Sequence, residues 1–77
     1  MTSAFLLINC TLPFVDDVIS ELKKISEIDD VYKVHGDYDI IVKMSTGTEE
    51  QLQDIIKNKV RKIDKITLTL TVIIVKQ

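Results

Sequence analysis

Hydrophobic positions along the chain change spacing several times, and the changes mark out six elements. Ala4 to Cys10 (AFLLINC) is a short, unbroken apolar run, which predicts a buried strand. Thr11-Leu12-Pro13 ends it, and Pro13 suits a first helical turn, where its missing N–H costs nothing. Val15, Val18, Ile19, Leu22 and Ile25 then form one apolar helical face, with Asp16, Asp17, Glu21, Lys23 and Lys24 mostly opposite. Ile28 to His35 mixes β-branched and aromatic residues with charges and reads as a strand. Gly36-Asp37 has turn chemistry, and Tyr38 to Met44 is a second strand, so the two form an antiparallel hairpin. Thr48 to Gln51 fits a capping box, opening a helix whose apolar face is Leu52, Ile55, Ile56, Val60 and Ile63. Ile66 to Lys76 is a long β-branched strand. The order β-α-β-β-α-β predicts a ferredoxin-like α+β fold, a four-stranded antiparallel sheet with two helices on one face. It is expected to form one domain over residues 1–77, as a chain of 77 residues rarely holds two cores.

A two-layer domain leaves one sheet face to water, so its strands should alternate apolar and polar positions. Here they do not. Ala4, Leu6, Ile8 and Cys10 share one side of the first strand, and Phe5 and Leu7 the other. In the last strand Leu68, Leu70, Val72 and Ile74 share one side, and Thr67, Thr69, Thr71, Ile73 and Val75 the other. Tyr38, Ile40, Val42 and Met44 oppose Ile41. Periodicity leaves open which side the helices cover. Either choice leaves an apolar patch of a size that marks an interaction surface, and the sheet of a second copy is the simplest cover. A homo-oligomer, a dimer at least, is therefore expected.

The apolar fraction is 45% and the charged fraction 29%, ordinary for a globular protein. A net charge of −2 lacks the positive excess that nucleic acid or an anionic membrane would call for. No apolar run is long enough to span a bilayer, and the N-terminus lacks the basic region of a signal peptide, so a cytoplasmic protein is expected. The single cysteine, Cys10, rules out an internal disulfide and any CxxC motif and reads as a small buried hydrophobe.

Little in the chain points to catalysis. His35 is the sole histidine and has no visible partner for a metal site or an acid–base relay. No nucleophile elbow surrounds the serines, and Gly36 and Gly47 cannot build a phosphate-binding glycine loop. No catalytic residue, metal site or cofactor is expected. Lys57, Lys59, Arg61, Lys62 and Lys65 cluster at the end of the second helix, where cations offset its dipole. The densest polar group is Gly36-Asp37-Tyr38-Asp39. Two carboxylates and a phenol beside turn amides could hold an ammonium and a carboxylate together. Equally, Asp37 could be a turn former and Asp39 could cap backbone amides.

The run Val31-Tyr32-Lys33-Val34-His35-Gly36-Asp37-Tyr38-Asp39-Ile40-Ile41-Val42 resembles the G-D-Y-D signature of the effector domain of Lrp/AsnC regulators, the regulation of amino acid metabolism (RAM) domain. The resemblance covers nearly the whole chain, and Thr69-Leu70-Thr71 matches the T-x-T of the family's last strand. The chain departs from the pattern at Glu27 and Lys65, where glycine is usual before the second and last strands. The resemblance implies sheet-to-sheet dimers that assemble into larger rings, commonly octamers, with amino acids bound between dimers. Carried over, Gly36, Asp37, Tyr38, Asp39, Thr69 and Thr71 become the ligand-binding candidates. Because the sequence begins at the first strand, it resembles the version of the domain that stands alone, without a helix-turn-helix partner. Two alternatives remain: a small dimeric α+β barrel enzyme, and an accessory subunit that joins full-length Lrp/AsnC regulators.

Overall fold

The computed structural model describes residues 1–75. Its elements run β1 (Thr2–Cys10), α1 (Val15–Leu22), β2 (Ile28–Lys33), β3 (Ile40–Thr46), α2 (Glu49–Ile55) continuing as a π-helical turn (Ile56–Val60), and β4 (Ile66–Ile73). The four strands form one antiparallel sheet in the order β2-β3-β1-β4, the predicted ferredoxin-like arrangement.

The helices cover the face carrying Ala4, Leu6 and Ile8 of β1 and Ile40, Val42 and Met44 of β3, all completely buried. Val18 and Leu22 of α1 and Leu52, Ile56 and Val60 of the second helix close the core from above. Leu52, Ile56 and Val60 are four residues apart. On an α-helix of 3.6 residues per turn each such step drifts about 40° around the axis. The Arg61 N–H donates to the Ile56 carbonyl, five residues back, at 2.9 Å. This wider turn takes up the drift and keeps Val60 on the core.

Three local expectations shift. Pro13 precedes Phe14, which stands at the N-cap of α1, so proline lies just outside the helix rather than in its first turn. β2 ends at Lys33 and β3 starts at Ile40, so the connection is the six-residue loop 34–39 and not a tight Gly36-Asp37 turn. Tyr38 and Asp39 therefore belong to a loop, and strand alternation does not set their directions. β4 ends at Ile73, and Lys76, the predicted end of that strand, lies outside the described residues.

The register of β4 settles which side faces the helices. Leu6 pairs with Thr71, Ile8 with Thr69 and Ala4 with Ile73, which puts the threonines on the helix side. Leu7 pairs with Leu70 and Phe5 with Val72 on the open side. A bulge between Asn9 and Cys10 lets Thr67 go unpaired, so Ile66 returns to the core side opposite Cys10. Leu68, Leu70 and Val72 are left 50%, 46% and 46% exposed on the open face.

Candidate functional site

The loop 34–39 is fastened through Asp39. The Val34 N–H donates to the Asp39 carbonyl at 3.0 Å, closing the loop at its base. The Asp39 N–H donates to the Ile8 carbonyl at 3.0 Å. Its Oδ2 accepts from the Cys10 N–H, also at 3.0 Å. β3 begins only at Ile40, so the last amide of β1 has no strand carbonyl opposite it. The Asp39 carboxylate takes that place, and it satisfies a half-buried donor whose loss would cost about 1–3 kcal/mol. Gly36 sits at φ 134°, a backbone conformation that L side chains rarely adopt, which accounts for glycine at this point of the loop.

Between this loop and the β1–α1 connection lies a cleft of about 340 Å³, lined by Leu12, Val15, Lys33, Val34, His35, Gly36 and Asp39. The Lys33 Nζ donates to Asp16 Oδ1 at 3.2 Å, a second tie between the two walls. Both side chains are exposed, so this tie orients more than it stabilises. Burial, and then the negative charge of Asp39, push the Cys10 thiol above its usual pKa. The thiol next to the cleft is thus held protonated at neutral pH, in keeping with a packing role.

Of the six candidate residues, the fold brings Gly36 and Asp39 into this cleft. Asp37 is exposed on the loop and Tyr38 is half-buried; neither lines the cleft. Thr69 and Thr71 are half-buried on β4. Thr69 lines a separate recess of about 80 Å³ beside Arg61. β1 lies between β3 and β4, so the threonines stand two strand spacings, about 10 Å, from the start of β3. Leu12, Val15, Lys33, Val34 and His35 join the cleft without having been singled out as ligand-binding. Lys33, Val34 and His35 lie within the signature run. Leu12 and Val15 are brought there by the pairing of β1 with β3.

A larger cleft, about 550 Å³, is at the other end of β3, among Glu27, Ser45, Thr46, Gly47, Gln51 and Asp54. Its polar groups are largely committed. Thr46 Oγ1 donates to the Thr48 carbonyl, Gln51 Oε1 accepts from the Gly47 and Thr48 amides, and Glu27 pairs with Lys59 at 3.5 Å. Hydrogen bonding at its own backbone amide holds the Glu27 carboxyl below its usual range against the opposing effect of burial, helped by the Ser26 hydroxyl and the Lys59 charge. Among the described residues no cluster of three or more His, Cys, Asp or Glu side chains is placed to hold a metal ion, and no helix is long and apolar enough to cross a membrane.

Comparison with known proteins places this geometry in a family. Residues 3–77 match the Lrp/AsnC ligand binding domain. The HTH-type transcriptional regulator FL11 of Pyrococcus furiosus is 37% identical over 73 residues, which are 95% of this chain and 48% of the regulator. The chain thus spans about half the length of that relative. The crystal structure of FFRP-DM1 superposes with a TM-score of 0.93 at 35% identity, over 97% of this chain and all (100%) of the other. E. coli AsnC superposes with a TM-score of 0.93 at 25% identity, over 99% of this chain and 52% of AsnC. A feast or famine regulatory protein from M. tuberculosis, complexed with L-methionine, shares the fold with a TM-score of 0.84 at 24% identity, over 100% of this chain and 52% of its own. Matched over nearly its whole length, the chain belongs to the Lrp/AsnC family, as a ligand-binding domain of that family.

Proposed function

We propose that this domain binds a free amino acid at the 34–39 loop and associates with copies of itself, acting as an effector-sensing module of transcription regulation with no DNA contact or catalysis of its own. The observation that carries the reading is the company the signature loop keeps. Asp39, a carboxylate, and Lys33, an ammonium whose exposed pair with Asp16 a ligand carboxylate can replace, both line its cleft. An amino acid is a zwitterion, and such a pair matches both of its charges. Asp39 Oδ2 is taken by Cys10, but a carboxylate keeps further acceptor sites, and an ammonium has three donors. The M. tuberculosis protein of this fold holds L-methionine, which is consistent with the ligand class.

Asp37, Tyr38, Thr69 and Thr71 lie outside the cleft of their own chain. Their place in the reading is at its rim, contributed by a neighbouring subunit in a dimer or a larger ring. Asp37 is the charged member of that set and offers a second partner for the ligand ammonium.

Isothermal calorimetry with the twenty amino acids, on the wild type, Asp37→Asn and Asp39→Asn, tests this. A charge-assisted hydrogen bond contributes about 1.5–3 kcal/mol, so each substitution should weaken binding roughly ten- to a hundredfold. Binding that neither substitution weakens would leave the residue assignment wrong. No binding at millimolar concentration to a confirmed oligomer would overturn the effector reading.

One observation favours a second role. The same fold makes up about half of E. coli AsnC, so the open sheet face here has a counterpart on chains of full-length type. Mixed assembly with such a regulator is the accessory-subunit reading. Co-purification of differently tagged chains would support it, and two separate homo-oligomers would rule it out.

A further inference from the structure

The walls of the 340 Å³ cleft differ in chemistry. Every polar side chain that lines it comes from the end of β2 and the loop after it: Lys33, His35 and Asp39. The facing wall is apolar and consists of Leu12 and Val15. Leu12 is 70% exposed, so it contributes little to the core, yet it closes one side of the cleft. Asp16, next to Val15 in the chain, is exposed to solvent and does not line the cleft.

Resting on the amino-acid reading above, we infer that the cleft selects amino acids with aliphatic side chains and that Leu12 sets this preference. A ligand whose ammonium and carboxylate meet Asp39 and Lys33 directs its side chain across the gap towards Leu12 and Val15. There an aliphatic group loses water at both surfaces, which is favourable in proportion to the area covered. A polar or charged group in the same place loses its hydration without gaining a partner. The cleft is at the small end of ligand-site volumes, which suits a ligand of amino-acid size.

Calorimetry on the full chain tests the inference with leucine, its near-isosteric polar counterpart asparagine, lysine and alanine, on the wild type and Leu12→Ser. Because Leu12 is mostly exposed, Leu12→Ser should keep the fold, which far-UV circular dichroism checks. In the wild type leucine should bind at least about tenfold tighter than asparagine, as expected for a difference confined to an apolar pocket wall. Leu12→Ser should weaken leucine by roughly fivefold, the effect of losing part of the covered apolar area, and leave alanine almost unchanged. Tighter wild-type binding of asparagine or lysine than of leucine would overturn the inference while keeping the amino-acid reading. So would a leucine-to-asparagine ratio that Leu12→Ser leaves the same. If none of the four binds, the amino-acid reading fails, and this inference with it.

Discussion

Lys65 sits at φ 78°, among the described residues the one non-glycine position in left-handed backbone. It is also where the family pattern favours glycine. Three contacts hold it there: its carbonyl accepts from the Thr11 N–H at 2.7 Å, its N–H donates to Asp64 Oδ1 at 3.1 Å, and its ammonium lies 4.7 Å from the centre of the Phe14 ring. Lys65→Ala and Lys65→Gly both lose the cation–π contact, but only glycine relieves the backbone. Urea unfolding should find Lys65→Gly more stable than Lys65→Ala by about 1 kcal/mol; equal stabilities would mean the turn carries no strain. Asp39 supports a similar paired test. Asp39→Asn keeps an oxygen for the Cys10 amide, whereas Asp39→Ala leaves that amide without a partner, so alanine should destabilise by about 1–3 kcal/mol more. These residues also show where the sequence was legible. A glycine departure is visible as a letter, and so is a G-D-Y-D cluster. That Asp39 spends one carboxylate oxygen on Cys10, 29 residues away, depends on strand pairing that no local pattern encodes.

The second helix shows what local pattern encodes well. Thr48 Oγ1 accepts from the Gln51 N–H at 3.1 Å, and Gln51 Oε1 accepts from the Thr48 N–H at 3.2 Å, the reciprocal box expected from those two letters. Gln51 Oε1 also accepts from the Gly47 N–H at 2.9 Å, and a Cβ at Gly47 would stand 2.9 Å from that same oxygen. Thr48→Ala should therefore lower stability by about 1 kcal/mol in thermal or urea unfolding. Gly47→Ala should displace the Gln51 amide and cost a comparable amount by the same assay; an unchanged midpoint in both would show that the box is not formed in solution. The helix faces and the succession of helices and strands were readable because each needs only a spacing of three to four or of two. The width of the β2–β3 loop was not. Val34 and Tyr38 look like strand residues by composition, yet the β2–β3 ladder ends where Lys33 pairs with Ile40. The π-helical turn was equally hidden, because Leu52, Ile56 and Val60 read as an ordinary helical face.

At the scale of the molecule, the sequence showed two apolar faces but not their assignment, and the β4 register supplies it. Because of the bulge at Asn9/Cys10, Ile66 joins the core while Leu68, Leu70 and Val72 turn away from the helices. They meet Phe5 and Leu7 of β1, and Ile41 of β3 extends the surface towards Tyr32, which is 50% exposed. Asn9, opposite Leu68, stands at the end of β1, and Lys43 stands between Phe5 and Asp30 within the face. An apolar patch on an open sheet face is the kind of surface a self-complementary interface covers. Light scattering at micromolar concentration should therefore give a mass that is a multiple of the 8.8 kDa chain. Leu70 is the informative position, since it is 46% exposed in the single chain and directly opposite Leu7. In one chain Leu70→Asp can keep its charge in water, so circular dichroism should show the fold intact. In an assembly of sheet against sheet the carboxylate is buried without a partner, at a cost of several kcal/mol per copy. The substituted protein should then run at 8.8 kDa under conditions where the wild type does not. A wild type already at that mass would sink the self-association reading. A folded Leu70→Asp that keeps the wild-type mass would move the interface off this face, leaving the exposed leucines of β4 to be covered by something other than a second copy.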